Sequence, residues 1–565
     1  MSTTPFLAVQ IPACTQHLTL TSVQGSEYIS NLFDFQLIAF ATNAQEINAQ
    51  KLIGQPIAFQ INDQTTRYFH GVIQNININF TKLYNTKAYH IRVRPWLWLL
   101  TNTKNCRVFQ NKSTVKIIEE ILQEFNFDNY DLSKVSGVGK NYLHEYCVQY
   151  NETYFNFIAR LMEEAGILYY FEHSENQHRL ILTDNSSTCK QYHDHITYQG
   201  NPNSNKQIFT WNRQYNFHTT KIAQTDYNFK TPTANLLTQA KQHNCITHNQ
   251  YELFNYPGNY FDLTTGKTMT QSLLEEQIAD VYWIKGSSNY IFFAPGNKFS
   301  LKQHEFPSET GDYLLLKVTH CAYDYTHAAS ETKDGLSQSY DNDFVGIPSG
   351  TLFRPKKITP KPLIYSSQTA AVVGAKNQEI YTDSFGRIKV QFFWDRRGKH
   401  DEHSSCWIRV AHVWSGKSFG VNFIPRIGNE VIINFLEGNP DRPIVTGCLH
   451  NNNHKPIYNL PANKTKSGIK THSIKSTKTT AANEIYFEDK ANQEEIYIHA
   501  QKDLNHVVEN DQNTIVKQGN QVTQIENGIS SLSAKQKIEF KVGGNSIVID
   551  NDGVKINGNK VKINN

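Results

Sequence analysis

Several kinds of chemistry are missing from this sequence. A strong charge of one sign is absent: 55 Lys and Arg against 51 Asp and Glu leave a net charge of +4. That is too weak a field to gather nucleic acid or an anionic membrane surface. No run approaches 18 apolar residues, which excludes a bilayer-spanning helix on pattern. The first basic residue is Lys51, so the start MSTTPFLAVQIPACT has no basic region and does not read as a secretory signal. A chain made in the cytosol without such a signal, if it leaves the cell, needs another machine to carry it. The cysteines at 14, 106, 147, 189, 245, 321, 406 and 448 are scattered, with no CxxC and no metal-ligand spacing. They read as reduced, mostly buried thiols. No HExxH occurs.

The most regular stretch that is present is the last one. SIVIDND, GVKINGN and KVKINN place aliphatic pairs at Ile547/Ile549, Val554/Ile556 and Val561/Ile563, each pair seven residues after the one before. Members of a pair are two apart and so share one side of a strand. Gly, Asn and Asp fall between them as turn residues. An i,i+2 spacing is wrong for a coiled-coil seam. Seven residues extend roughly 23 Å, too short for one chain to encircle its own core. A lone ladder would also leave its strand edges unpaired. Three copies sharing the circuit solve both problems, each facing its aliphatic pairs inward. Ile538/Phe540/Val542 and Ile496/Ile498/Ala500 fit the pattern more loosely. The expectation is a three-chain needle over 483–565, about eleven strands per chain and roughly 50 Å long, with Ile547, Ile549, Val554, Ile556, Val561 and Ile563 as its core.

A chain of 565 residues should hold several domains. Residues 1–360 read as β-rich with a few helices. Strands are expected at 33–40, 57–61, 68–78, 87–93, 167–171 and 313–319. One helix is capped by Ser113 and carries Ile117, Ile118, Ile121, Leu122 and Phe125. A second starts near Thr153 and stops at Gly166, and a third lies around 268–279. FRPKKITPKPLIY (353–365), with three prolines, reads as a linker. From 368 to 449 five short strands (388–394, 407–410, 422–424, 430–436 and 443–446) and Gly-containing turns fit a small barrel of OB type. A polar connector, 450–482, leads to the needle.

DSFGRIKVQFFWDRRGKHDEHSSCWIRVAHVWSGKSFGVNFIPRIGNEVIINFLEGNPDRPIVTG (383–447) resembles the barrel of VgrG proteins, the spikes of type VI secretion systems. LPANKTKSGIKTHS (460–473) and NEIYFEDKANQEEIYIHAQKDLNHVVEND (483–511) resemble that family's lead-in to its needle. CVQYNETYFNFIARLMEEAGILYYFEH (147–173), FNYPGNY (254–260) and FRP (353–355) resemble its hub. The resemblance covers nearly the whole chain; a departure is Asn439 in EGNPDRP, where Asp is usual.

It implies a mainly β homotrimer: a β-rich α+β phage-hub-like domain of two tandem tube-type subdomains (1–360), the OB barrel and an intertwined β-helix needle. It also implies a non-enzymatic puncturing spike. As partners it implies a hexameric Hcp tube, baseplate components, a PAAR-type tip protein and a non-covalently carried effector toxin, with export through the type VI apparatus. A phage or bacteriocin tail spike is the alternative. No cofactor is expected. Tip docking is expected at Lys560, Val561, Lys562, Ile563, Asn564 and Asn565, where the strand edges of the needle would otherwise lie open.

Chemistry was weighed against plainer readings. GKS in WSGKSFG (414–420) looks like the end of a P-loop, but Ala411 stands where Gly is needed and a strand-like run follows. SGVGKNY (136–142) fails similarly. His193, Asp194 and His195 could ligate a metal but lack a fourth ligand, so surface roles are favoured. Glu163/Glu164 and Asp401/Glu402 are adjacent, which keeps them from facing one another across a substrate, and read as solvated charge. Trp394, Trp407 and Trp414 with Arg387, Arg396, Arg397 and Arg409 could form a nucleic-acid or sugar groove. The plainer reading is aromatics sealing the barrel and arginines paired with Asp395, Asp401 or Glu402. Between barrel and needle there is no room for an inserted enzyme, and none is expected after Asn565.

Overall fold

The computed structural model describes residues 5–41, 47–81, 86–199, 206–242, 251–324, 326, 338–478 and 480–563. It divides into two units, Met1–Leu460 and Pro461–Asn565.

The first unit opens with six strands: β1 (Leu7–Gln10), β2 (Leu18–Tyr28), β3 (Asp34–Ala41), β4 (Pro56–Asp63), β5 (Thr65–Thr81) and β6 (Thr86–Arg94), in the order β1-β4-β5-β6-β3-β2. Period-two alternation drives one face inward, burying Leu37, Ala39, Ile57, Phe59, Ile61 and Ile91. Helices α1 (Thr114–Glu124) and α2 (Tyr154–Glu164) pack on the same core. Their caps are those the sequence announces: Ser113 accepts from the Lys116 amide and Thr153 from the Asn156 amide. Gly166, at φ +67°, terminates α2 in the left-handed region that glycine enters without strain.

A second set follows: β7 (Lys190–Tyr198), β8 (Gln207–Tyr215), helix α3 (Leu263–Ala279), β9 (Tyr282–Ser288), β10 (Asn297–Gln303), β11 (Gly311–Asp324) and β12 (Gln338–Pro348). Its ladder runs β11-β10-β7-β8-β9-β12, and β12 pairs back to β11, closing a six-stranded barrel around Phe293, Phe299, Leu315 and Phe344. β2 pairs with β11, so the two sets form one continuous sheet. α3 begins five residues before the expected Thr268, because Asp262 caps it by accepting from the Thr265 amide.

A charged network is buried in this hub. Arg67 donates to Glu27 at 2.5 Å and to the carbonyls of Ile291 and Phe293. His320 Nε2 lies 2.8 Å and His173 Nε2 3.2 Å from the same carboxylate. Burial would raise Glu27, but Arg67 and the two imidazoles hold it well below the usual carboxylate range. Burial and then Arg67 depress His320 to about 4; burial and then His173 do the same to His70.

The small barrel comprises β13 (Gln368–Val373), β14 (Lys389–Phe392), β15 (Arg409–Val410), β16 (Glu430–Phe435) and β17 (Pro443–Leu449) in the order β14-β13-β16-β17-β15. An antiparallel bridge from Ile388 to Ile408 joins the two ends and closes it. The strand expected at 422–424 does not form. The fifth strand is instead β13, central between β14 and β16. Its inward Ala370 and Val372 are too small to carry a visible alternation in sequence.

Candidate functional site

The second unit holds two three-stranded antiparallel sheets. The first joins β18 (Lys466–Lys470), β19 (Glu484–Glu488) and β20 (Glu495–His499). β18 lies in the span read as a polar connector, so the paired structure starts earlier than residue 483. Its register sets Ile469, Ile485 and Ile498 side by side, with Phe487 opposite Ile496. On the other face Tyr486 stacks on Tyr497 at 4.9 Å and donates to Glu495.

The second sheet contains most of the candidate core. β21 (Lys537–Val542), β22 (Asn545–Asp550) and β23 (Gly553–Asn557) form a meander. Ile538, Ile549 and Val554 align in one row, and Phe540, Ile547 and Ile556 in the next. Directly opposed residues share a face, so six apolar side chains make one patch. The reverse face is charged and paired: Lys537 with Glu539 at 2.8 Å, and Lys555 with Asp550 at 3.0 Å. In the single chain the apolar face is the open one; Ile547 and Ile549 are 42% and 41% exposed, Val554 and Ile556 more so. Four of the six predicted core residues are thus brought together. Val561 and Ile563 are exposed and lie beyond the last strand. Lys560 and Lys562 are exposed beside them, while Asn564 and Asn565 fall outside the described residues.

Residues 503–536 run between the two sheets with no strand and, among the described residues, no backbone–backbone hydrogen bond. The expected eleven strands per chain belong to a three-chain shaft; within the single chain six strands pair among the described residues. Yet Val508, Ile515, Val522 and Ile529, all exposed, recur every seven residues. These extend the candidate core and were missed in sequence, although aligning the segment with the terminal ladder reveals them.

The other candidates are spent elsewhere. Trp394 stacks on Phe392 and donates to Gln368; Trp407 stacks on Tyr381; Trp414 stands on a separate, exposed hairpin. Arg387 pairs with Asp383, and Arg397 with Glu124 of the hub, rather than with Asp395, Asp401 or Glu402. Arg396 donates to Asn105. Arg387, Trp407 and Arg409 do share the wall of one cavity between hub and barrel, which Trp394, Trp414, Arg396 and Arg397 do not line. In SGVGKNY the Ser136 and Gly137 amides both donate to Asp184, which fills the turn a phosphate would need.

WSGKSFG is a hairpin with no helix after it, against a P-loop. The same run also spells GxSxG, but Ser418 sits at a hairpin tip with φ +65° rather than at a strand-to-helix elbow. The side chains of His193, Asp194 and His195 lie outside the described residues; among the described residues no metal-ligand cluster occurs.

Glu163 and Glu164 are not solvated charge. Glu163 accepts from the amide and hydroxyl of Thr359. Glu164 lies 3.8 Å from Arg160 and 4.0 Å from Lys361. They belong to a joint between hub and barrel. Lys361 holds Asp441 at 2.6 Å, Asp441 accepts from the Val148 amide, Arg160 holds Glu152, and Arg442 grips Asp226 with two donors. Burial would raise Asp441, but Lys361 and Arg160 hold it down. The run 353–365 is therefore no free linker: Arg354 is fixed to Glu275 and to the Gly166 carbonyl, and Lys356 to Asp280.

Two six-stranded β sets sharing one sheet, the second closed, then a small closed barrel and a ladder with an open apolar face define a hub-and-spike chain of the contractile-tail type. Three family models match in that order: the phage tail baseplate hub over 26–326, the type VI secretion system/phage-baseplate injector OB domain over 369–450, and the bacteriophage T4 gp5 C-terminal trimerisation domain over 467–563. The type VI secretion system spike protein VgrG1b of Pseudomonas aeruginosa is 33% identical over 523 residues, 90% of this chain and 69% of that protein. The actin cross-linking toxin VgrG1 of Vibrio cholerae is 31% identical, but the match spans only 47% of its length.

Among solved structures, an E. coli type VI component described as similar to the T4 tail proteins gp27 and gp5 aligns with a TM-score of 0.57 at 20% identity. That match covers 78% of this chain and 99% of the other. The lidded Francisella PdpA–VgrG complex aligns with a TM-score of 0.59 at 10% identity, over 98% of this chain and 79% of that one. The chain belongs to the VgrG family of type VI secretion system spike proteins.

Proposed function

We propose that three copies of this chain form a non-enzymatic puncturing spike that joins an Hcp tube to a PAAR-type tip protein and carries effectors into target cells. The observation that carries this reading is the apolar face of β21–β23. It is built in register on a chain whose other core residues are buried, and it has no cover of its own. Two further copies offer the same face around a threefold axis. The repeat through Val508, Ile515, Val522 and Ile529 would then supply the middle of the needle, with backbone groups of 503–536 paired between chains. The succession of hub, barrel and needle supports the mechanical role.

Tip docking falls on Lys560–Ile563 and the two residues after them. Exposed side chains above the last intrachain strand favour a partner there. The spike reading gives export through the type VI apparatus; no described helix is long and apolar enough to cross a membrane.

Light scattering of the full chain tests the assembly, with a trimer expected and a persistent folded monomer counting against it. Deleting Val554–Asn565 should leave the trimer but abolish tip-protein binding. Purified trimer should show no peptidoglycan hydrolase, nuclease, protease or lipase activity once cargo is removed.

A further inference from the structure

Most of the run 411–424, already notable as WSGKSFG, stands off its own chain; at its far end Ile424 packs on the barrel core. Its base is tied to β17 by the Ala411 amide, which donates to Val445. Between these ends it folds on itself: Ser415 pairs with Gly420, Gly416 with Phe419, and Trp414 meets the Phe419 ring edge-on at 5.4 Å. Val413 is 94% exposed, Trp414 62%, Phe419 58% and Phe423 56%. Scattered exposed apolar residues need no explanation, but four on one short arm mark a contact surface. Trp414 carries its indole N–H, a pure donor, on this exposed arm. Lys417 at the tip is the arm's charged residue, with no acid anywhere on 411–424.

A complementary surface exists on the same molecule. Between hub and barrel lies a cavity of about 390 Å3 walled by Tyr142, Tyr146, Phe229, Tyr256, Phe261 and Trp407. Tyr256 and Phe261 are themselves exposed. Glu145 and Glu437 also line the cavity, and Glu145 has only loose partners, Lys230 at 3.6 Å and Arg387 at 3.7 Å.

We propose that the 411–424 arm is a clasp between copies, seated in the hub–barrel cavity of the neighbouring chain. This rests on the trimeric reading above. A closed ring of three needs head-to-tail contacts, in which each copy offers one surface and receives a different one. Arm and cavity are such a pair. Trp414 and the other arm aromatics meet aromatic walls, and Lys417 reaches Glu145 or Glu437. Tryptophan anchors of this kind dominate protein interfaces.

The test is zero-length carbodiimide cross-linking of the full-length protein, with its mass measured by light scattering on the same sample. Covalent dimer and trimer bands should contain a peptide joining Lys417 to Glu145 or Glu437 that the monomer band lacks, and Lys417→Arg should remove it. Trp414→Ala should cut its yield about tenfold, equivalent to roughly 1.4 kcal/mol, with trimer mass unchanged. A trimer in which Lys417 links only within its own chain, to other acids, or to nothing overturns the clasp while sparing the trimeric reading. A sample that is not trimeric overturns both.

Discussion

The two units solve the burial problem in opposite ways. In residues 1–460 strands are paired in closed or nearly closed sheets, and the core side chains are close to fully hidden. In 461–565 the in-register apolar rows face outward, and 503–536 has no strand at all. Both halves use period-two alternation. They differ in where the buried side lies: the first faces its own chain, the second waits for copies. Local pattern therefore specifies an element, while the partner of its apolar face depends on how much chain is available to wrap around it.

The sharpest way to break the contrast is Ile556→Asp. It should abolish the trimer while leaving the first unit folded. The change removes the roughly 1.5–3 kcal/mol that burying one aliphatic side chain contributes. It also brings three carboxylates together in an apolar core. Light scattering together with a melting curve checks both halves of the outcome. A preserved trimer would mean that the strand register is off by one residue.

Glu27→Gln attacks the opposite unit. It leaves Arg67 buried without its counter-charge, which costs about 3–5 kcal/mol when one partner of a buried pair is removed. The hub transition should move to lower temperature, while the needle still holds three chains together.

Acid should separate the units more gently. His70 and His320 are depressed from the ordinary 6.5 to about 4 in the fold. Protonation thus favours the unfolded chain: their contribution is full above pH 6.5 and is lost as pH falls towards 4. The hub should lose thermal stability steadily across that window, with no matching change in trimer mass. A hub melting temperature flat from pH 7 to 4.5 would contradict this. The smallest effect is expected from Lys555→Glu, on the solvent face, which should leave trimer stability within error of wild type.

Much of the fold was legible in the sequence because its signals are local. Ser113 and Thr153 cap the helices they were expected to cap. The alternation of Ile388, Val390 and Phe392 does mark an inward barrel row. Where pairing is long-range, the sequence was poorer. β13 is central to the barrel, yet its inward alanine carries little hydrophobic signal. The strand-like run at 422–424 packs Ile424 on the barrel core but joins no ladder. The joint was illegible because Lys361, Glu164 and Asp441 are far apart in sequence, and each alone looks like a surface charge. The candidate core was half legible: the terminal pairs stand out, whereas the repeat through Val508 and Ile529 is diluted by polar neighbours.

That joint bears on how the molecule carries load. A thrust arriving at the hub passes to the barrel through Lys361–Asp441, Arg442–Asp226 and the Val148 amide, contacts largely withdrawn from solvent. Dissolved ions screen exposed charges within about 10 Å at 0.1 M, but reach such shielded pairs far less. The hub–barrel hinge should therefore be nearly as stiff in brine as in dilute buffer, and the proposed stroke would not yield there whatever the salinity outside.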